Sequence, residues 1–269
     1  LLGHAELAVI DPGPALPAHL DRLLAEIGAA EVSAILVTHS HRDHSALAPE
    51  LAQRTGAPVL AFGDSLAGRS DVMNRLAGGI GGGEGVDPAF RPDRELCDGE
   101  IIAGVEWSLK ALWTPGHMGN HLCFAQGDIL FTGDLVMGWS SSIVSPPDGD
   151  LTAFLASCRS LTARRDRLFL PGHGAAVPDP PARLAELIAH REARTEQLLA
   201  ALSHGPADRT TLTRRVYHDV PEHLLPAAER NLLAHLIALI DAGGVRADRP
   251  LGPETIFEAT ALRPDGPKR

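Results

Sequence analysis

Val32-Ser33-Ala34-Ile35-Leu36-Val37-Thr38-His39-Ser40-His41-Arg42-Asp43-His44 is the stretch on which the reading of this chain turns. Its first part is a short apolar run of strand type. The part after Thr38 packs three imidazoles and a carboxylate into one loop. A strand ending at Thr38 releases those side chains at the edge of a sheet. There His39 and His41 can converge on one metal ion, while Asp43 and His44 turn toward a second. Imidazole nitrogen and carboxylate oxygen are the donors that borderline divalent ions such as zinc prefer.

Two neighbouring ions need further donors, and three later segments offer them. They are Trp113-Thr114-Pro115-Gly116-His117, Ile129-Leu130-Phe131-Thr132-Gly133-Asp134 and Leu168-Phe169-Leu170-Pro171-Gly172-His173. Each has an apolar run, a glycine that permits a sharp bend, and then a metal-type ligand. Any one of them alone is as often an ordinary surface loop. Together, after the first motif, they form a set. Asp11, Thr38 and His121 stand where residues supporting the ligands would stand, although a turn or cap role suits them equally.

The His-x-His-x-Asp-His motif, followed in order by His117, Asp134 and His173, resembles the metallo-beta-lactamase-fold hydrolases. The resemblance covers roughly residues 4 to 175. It implies an α/β fold, two sheets sandwiched between outer helices (αββα). It implies that His39, His41 and His117 bind one zinc ion. Asp43, His44 and His173 bind the other, and Asp134 bridges them. Iron or manganese suits the same ligands. Asp43 and Asp134 are the expected catalytic carboxylates, with Asp43 able to take or relay a proton. Members of that family generally have a strand or two before the segment matching Ile10-Asp11-Pro12-Gly13. The chain opens on Leu1-Leu2-Gly3 without an initiator Met, so further N-terminal residues are expected.

The stretch Leu135–Asp150 lacks the cysteine- and arginine-bearing loop of glyoxalase II-type thioesterases. It looks like the lactamase-beta-2-like branch, which includes a mitochondrial endoribonuclease. Trp139 and Ser140 to Ser142 are expected to border the metal site. The glycine-rich segment Leu76 to Asp87 lacks the Lys-Ser/Thr ending of a phosphate loop, and reads as a loop or a flap near the site.

The expected division is a catalytic domain over 1–180 and a smaller domain over 181–269. Helices are expected over Ala15–Ala29, Leu47–Arg54, Leu151–Thr162, Arg183–Leu202, Thr210–Tyr217 and within Pro221–Ala242, with a short strand at Val59–Ala61. Gly243-Gly244 then turns into a two-stranded wing over Val245–Ala261. This C-terminal order resembles a winged-helix module, again as in the lactamase-beta-2-like branch. Such a module could touch nucleic acid through Pro221–Ala242.

Charge gives that reading little support. The chain carries 24 Lys and Arg against 34 Asp and Glu, a net −10. Residues 181–269 hold 12 of each sign, so the C-terminal part is neutral rather than basic. Arg209, Arg214 and Arg215 form a small cluster of the kind usual on a solvated face. Packing against the larger domain or a partner subunit is therefore preferred. Only 11 aromatic rings (7 Phe, 3 Trp, 1 Tyr) are available for the core and for any base stacking.

No run of apolar residues is long enough to span a membrane, and no charged-then-apolar leader opens the chain. Cys97, Cys123 and Cys158 lack paired-thiolate spacing and read as buried or free thiols of a reducing cytoplasm. The expectation is a cytoplasmic, dizinc hydrolase acting on a small ester, thioester, lactone or lactam. A metal-dependent endoribonuclease acting on single-stranded RNA is the alternative, and a homodimer is left open.

Overall fold

Strands buried on both faces and strands that alternate between buried and exposed residues build two stacked sheets. The computed structural model describes residues 1–248 and 250–260. One sheet contains β1 (Leu2–Gly3), β2 (Glu6–Ile10), β3 (Glu31–Leu36), β4 (Val59–Ala61) and β5 (Arg94–Glu95), side by side in that order. Strands β2 to β5 run parallel, and β1 pairs antiparallel to β2 at the edge. Parallel neighbours need crossovers. These include helices α1 (Pro17–Ile27), α2 (Arg42–Ser45) and α3 (Ala48–Thr55). Helix α4 (Asp71–Leu76) lies between β4 and β5 in the chain.

The second sheet has the order β10-β9-β8-β7-β6, where β6 is Ile101–Ala103, β7 Ser108–Trp113, β8 Leu122–Gln126, β9 Ile129–Gly133 and β10 Leu168–Pro171. Strands β6 to β9 form an antiparallel meander; β10 returns parallel to β9 after helix α5 (Leu151–Thr162). Asp150 caps α5, its carboxylate accepting from the amides of Thr152 and Ala153.

The inner faces of the sheets meet through Ala8, Leu36, Leu60, Leu109, Leu122 and Phe124. Leu36, Leu109 and Phe124 have no exposed surface, and each such side chain contributes about 1.5–3 kcal/mol by leaving water. The outer face of the first sheet is covered by Leu20 and Ile27 of α1 and Leu51 of α3. Phe154, Cys158 and Leu161 of α5 pack with Leu130 of β9 and Phe169 of β10 on the outer side of the second. Helix, sheet, sheet, helix is the αββα layering that the motif implies.

The C-terminal part contains α6 (Pro180–Leu202), β11 (Ala207–Asp208), α7 (Arg209–Val216), α8 (Leu225–Asp241), β12 (Val245–Ala247) and β13 (Ile256–Ala259). Helix α6 starts three residues before Arg183, because Asp179 caps it and Pro180 suits its first turn. Helix α8 starts at Leu225, after the 3-10 turn Glu222–Leu224. Among the described residues the wing has three strands, ordered β11-β13-β12, not two. The added strand, Ala207–Asp208, is too short to show a period. Ala261, the expected end of the wing, lies outside the described residues.

This module is packed onto the sandwich, not tethered beside it. Leu184 and Leu187 of α6 belong to the core behind the second sheet, whereas Leu198 and Leu202 of the same helix belong to the C-terminal core. Helix α8 is shared in the same way, Ala234 facing one core and Leu232, Leu233, Leu236 and Ile237 the other.

Candidate metal centre

The ligand candidates all emerge near the C-terminal ends of strands or in the loops that follow. His39 and His41 follow β3, His117 follows β7, Asp134 follows β9 and His173 follows β10. The two sheets are joined here by a backbone bond, Leu122 N donating to Thr38 O at 2.8 Å. Loops from both sheets therefore open onto one place.

All seven predicted ligands converge. His39 Nε2 and His117 Nε2 each lie 3.0 Å from His41 Nδ1. His44 Nε2 lies 3.2 Å from His173 Nε2, which is 3.2 Å from Asp43 Oδ2. Asp134 stands between the two groups. Its Oδ1 is 3.5 Å from His44 Nε2, and its Oδ2 is 3.9 Å from His117 Nε2 and 3.7 Å from His173 Nε2. Three overlapping donor sets result: His39–His41–His117, His39–His44–Asp134 and Asp43–His44–His173, each with its atoms within 4.8 Å of one another.

Three of the imidazoles are held neutral, as ligands to a cation require, and one is held charged by its carboxylate neighbours. Burial, reinforced by the neighbouring imidazoles, lowers His39 and takes His41 to about 3, so both rings are neutral. Burial lowers His117 as well. Burial opposes charge on His44, but the Asp11 carboxylate and Asp134 outweigh it and push that ring up to about 10. Burial also opposes ionisation of Asp134, yet His44, His117 and His173 hold its carboxyl well below the usual range. Asp134 Oδ1 is buried without a hydrogen-bond partner. The ionised Asp134 carboxylate lies beside the neutral rings of His39, His41 and His117 and the charged ring of His44, whose inward-facing proton a bound cation would displace.

The other nitrogens of His39, His44 and His117 are held, which fixes those tautomers. Thr38 Oγ1 donates to Asp11 Oδ2 at 2.7 Å, so it accepts from His39 Nδ1 at 3.0 Å. His117 Nδ1 donates to Ile143 O at 2.7 Å. His44 Nδ1 donates to Asp11 Oδ2 at 2.8 Å. Asp11 adopts a φ of 49°, a left-handed conformation that Asp tolerates better than most residues. It also accepts from the Thr38 amide at 2.7 Å. His121, neutral with burial taking it to about 3, accepts from the Asp134 amide at 3.3 Å. All three expected supporting residues thus touch a ligand or its backbone. Gly172 is required by space, since a Cβ there would lie 2.6 Å from His44 Cε1 and 2.8 Å from Asp134 Oδ1.

The C-terminal module supplies support that no motif announces. Ser142 donates to the carbonyl of Asp134 and is itself gripped through its own carbonyl by Arg191 Nη2 of α6. Arg191, only 2% exposed, also donates from Nη1 to Asn231 Oδ1 of α8 at 3.0 Å. The same oxygen accepts from Val144 N at 3.0 Å. The loop 142–145 is therefore clamped between two ligands and two helices of the module. These partners are 40 to 87 residues apart in sequence, so no local pattern reveals them.

A cavity of about 450 Å³ opens over His41, Asp43 and His117. Glu84 and Gly85 form one side, which places the glycine-rich segment against the site. Ile143, and Pro226, Ala227 and Arg230 from α8, form another. Trp139 is 71% exposed and lies against Gly174, beside His173. The three cysteines are free; burial pushes Cys123 and Cys158 up to about 12, which leaves them inert.

The comparisons agree with this geometry. The profile of the metallo-beta-lactamase superfamily matches residues 1–173, and that of the beta-lactamase associated winged helix domain matches residues 210–249. The lactamase-like protein nscB of Arthroderma gypseum is 30% identical over 199 residues, which is 72% of this chain and 55% of that protein. The lactamase-like protein aptB of Emericella nidulans is 29% identical over 203 residues, 74% of this chain and 57% of that protein. The chain thus spans little more than half the length of these relatives. Among solved structures, a metallo-beta-lactamase family protein of Thermus thermophilus superposes with a TM-score of 0.76 at 28% identity, over 97% of this chain and 92% of that one. A beta-lactamase domain protein of Burkholderia ambifaria shares the fold at 22% identity, with a TM-score of 0.77 over 95% of this chain and 82% of that one. With its ligand-type residues gathered at the strand ends and a winged helix packed behind them, the chain belongs to the metallo-beta-lactamase superfamily.

Proposed function

We propose that this chain is a dinuclear zinc hydrolase acting on a small carbonyl substrate: an ester, thioester, lactone or lactam. The donor set fits two ions, one held by His39, His41 and His117, the other by Asp43, His44 and His173, with Asp134 between them. When bound, such ions supply electrophilic activation of the substrate oxygen and a water acidic enough to ionise near neutral pH. The ligand set suits iron or manganese too, so zinc is the part of the proposal that metal analysis tests directly.

The chain's own residues do the rest. Asp11, Thr38 and Ile143 O orient the imidazoles so that the correct nitrogens face inward. Asp43, 53% exposed, presents its carboxylate to the cavity. From there it can accept a proton from the attacking water and return it to the leaving group. Ile143, Pro226 and Ala227 give the cavity an apolar side against which a substrate body can pack.

The cavity wall carries the preference for a carbonyl substrate. Its apolar side and its closure by α8 suit a compact organic molecule. Helix α8, the element that would read nucleic acid, has its central residues Leu232 to Ile237 buried against the two cores. Among the described residues no helix is long and apolar enough to cross a membrane.

The test is metal content together with turnover by the purified protein, using an S-acyl glutathione thioester and a short single-stranded RNA. Two zinc ions per chain with chelator-sensitive thioester hydrolysis is the expected result. RNA cleavage without thioester turnover would overturn it. His39→Ala and Asp134→Ala should abolish hydrolysis while the protein stays folded; near-wild-type turnover in either would refute the site.

A further inference from the structure

Arg230 is the cation among the described residues of the cavity wall, and the hydrolytic reading leaves it unused. It projects from α8 into the cavity that contains His41, Asp43 and His117. Its Nε donates to Ser145 Oγ at 2.9 Å and its Nη1 to Ile80 O at 2.7 Å, both neutral acceptors. Its Nη2 is buried with no hydrogen-bond partner. Burial opposes its charge.

Glu84, Asp148 and Glu229 act on Arg230 through space, but among the described residues none bonds it directly. Asp148, which lines the same cavity, is paired with Arg69 and accepts from the Gly83 amide. Glu84 is exposed and is reached through Ser145, whose hydroxyl donates to it at 3.4 Å. Asp43 belongs to the metal set. Among the described residues Arg230 therefore has no carboxylate in direct contact. A half-buried guanidinium held only by neutral groups lacks the charged acceptor that usually accompanies one.

The anchor is also preorganised. Asn231, the next residue, is tied to Val144 N and to Arg191. Helix α8 is packed between two cores. Little side-chain freedom remains to be lost when a ligand binds.

We propose that Arg230 is a specificity-determining anchor for an anionic oxygen-bearing group, a carboxylate or a phosphate, carried by the substrate at a distance from the bond that is cleaved. This deepens the carbonyl-hydrolase reading and rests on the cavity being the substrate site. The preferred substrate then combines an apolar body, facing Ile143, Pro226 and Ala227, with one anionic end at Arg230. It also gives the C-terminal module a part in substrate choice.

The test is a binding titration of the metal-loaded protein, so it needs no turnover. One arm uses dicarboxylates from succinate to suberate, a second the monocarboxylates of equal length, a third the corresponding phosphono-carboxylates. Every compound offers one carboxylate to the metal site, but only the first and third arms offer a second anion to Arg230. At the chain length that spans the cavity, a doubly anionic ligand should bind about tenfold or more tightly than its monocarboxylate partner. Arg230→Gln should erase that advantage, and Arg230→Lys should restore part of it. Which of the two doubly anionic arms gains more identifies carboxylate or phosphate as the preferred group. Absence of any advantage at every length, or an advantage that survives Arg230→Gln, would overturn the proposal. Failure of thioester turnover with the Arg230-dependent preference intact would instead refute only the reaction assigned to the site.

Discussion

Replacing Asn231 with alanine tests whether the winged-helix module supports the metal centre. Its Oδ1 accepts from Arg191 Nη1 and from Val144 N, both at 3.0 Å. Val144 has no exposed surface and Arg191 only 2%. Alanine leaves a buried amide unpaired and a buried guanidinium short of an acceptor. An unpaired buried amide costs about 1–3 kcal/mol, and a bond to a charged donor contributes about 1.5–3 kcal/mol. The two losses share one atom and are not additive, so a destabilisation of about 3 kcal/mol is expected. In a chain of this size that lowers the melting temperature by roughly 6–12 °C. The loop so loosened also carries Ile143 O, the acceptor for His117 Nδ1. Loss of such outer support typically lowers metal affinity about 10–100-fold. The assays are urea unfolding and zinc retention against a competing chelator, both on wild type, Asn231→Ala and Asn231→Asp. The aspartate keeps the acceptor oxygen and should hold zinc like wild type. If Asn231→Ala unfolds more easily but retains zinc unchanged, loop 142–145 does not support the ligands, and that part of the reasoning fails.

Gly172→Ala should empty the site although it replaces no ligand, because the new methyl would sit 2.6 Å from His44 Cε1 and 2.8 Å from Asp134 Oδ1. Retention of two metals per chain by a folded Gly172→Ala protein would contradict the packing described. His235 makes a pH prediction remote from the ligands. Burial takes it to about 3 from 6.5, and its Nδ1 lies 2.8 Å from Thr195 Oγ1. The folded state therefore excludes a proton that the unfolded chain binds below 6.5. Its effect is absent above that pH, and stability falls by about 1.4 kcal/mol per unit below it. Between pH 6.5 and 4.5, His235→Asn should gain roughly 2–3 kcal/mol on wild type in unfolding free energy. Parallel stability curves across that window would show that His235 takes up a proton in the folded protein.

The cluster of candidate ligands was legible because its information is local. His39, His41, Asp43 and His44 lie within one loop, and His117, Asp134 and His173 each follow an apolar run and a glycine, so residue type and order alone single out the candidate donors. Helix positions were legible for the same reason, with Ala15–Ala29 realised as Pro17–Ile27 and Leu47–Arg54 as Ala48–Thr55. Where expectation and structure differ, the deciding contacts are long-range. The third wing strand, Ala207–Asp208, exists only because Ile256 and Phe257 lie opposite it. Arg191, Arg230 and Asn231 read in sequence as ordinary helix residues. Tertiary packing carries them to the loop after Asp134 and to the cavity above it. Short-range order thus determined which atoms can hold a metal. Only the docking of α6 and α8 decided what surrounds it, since a buried polar group takes whatever partner the packing brings within reach.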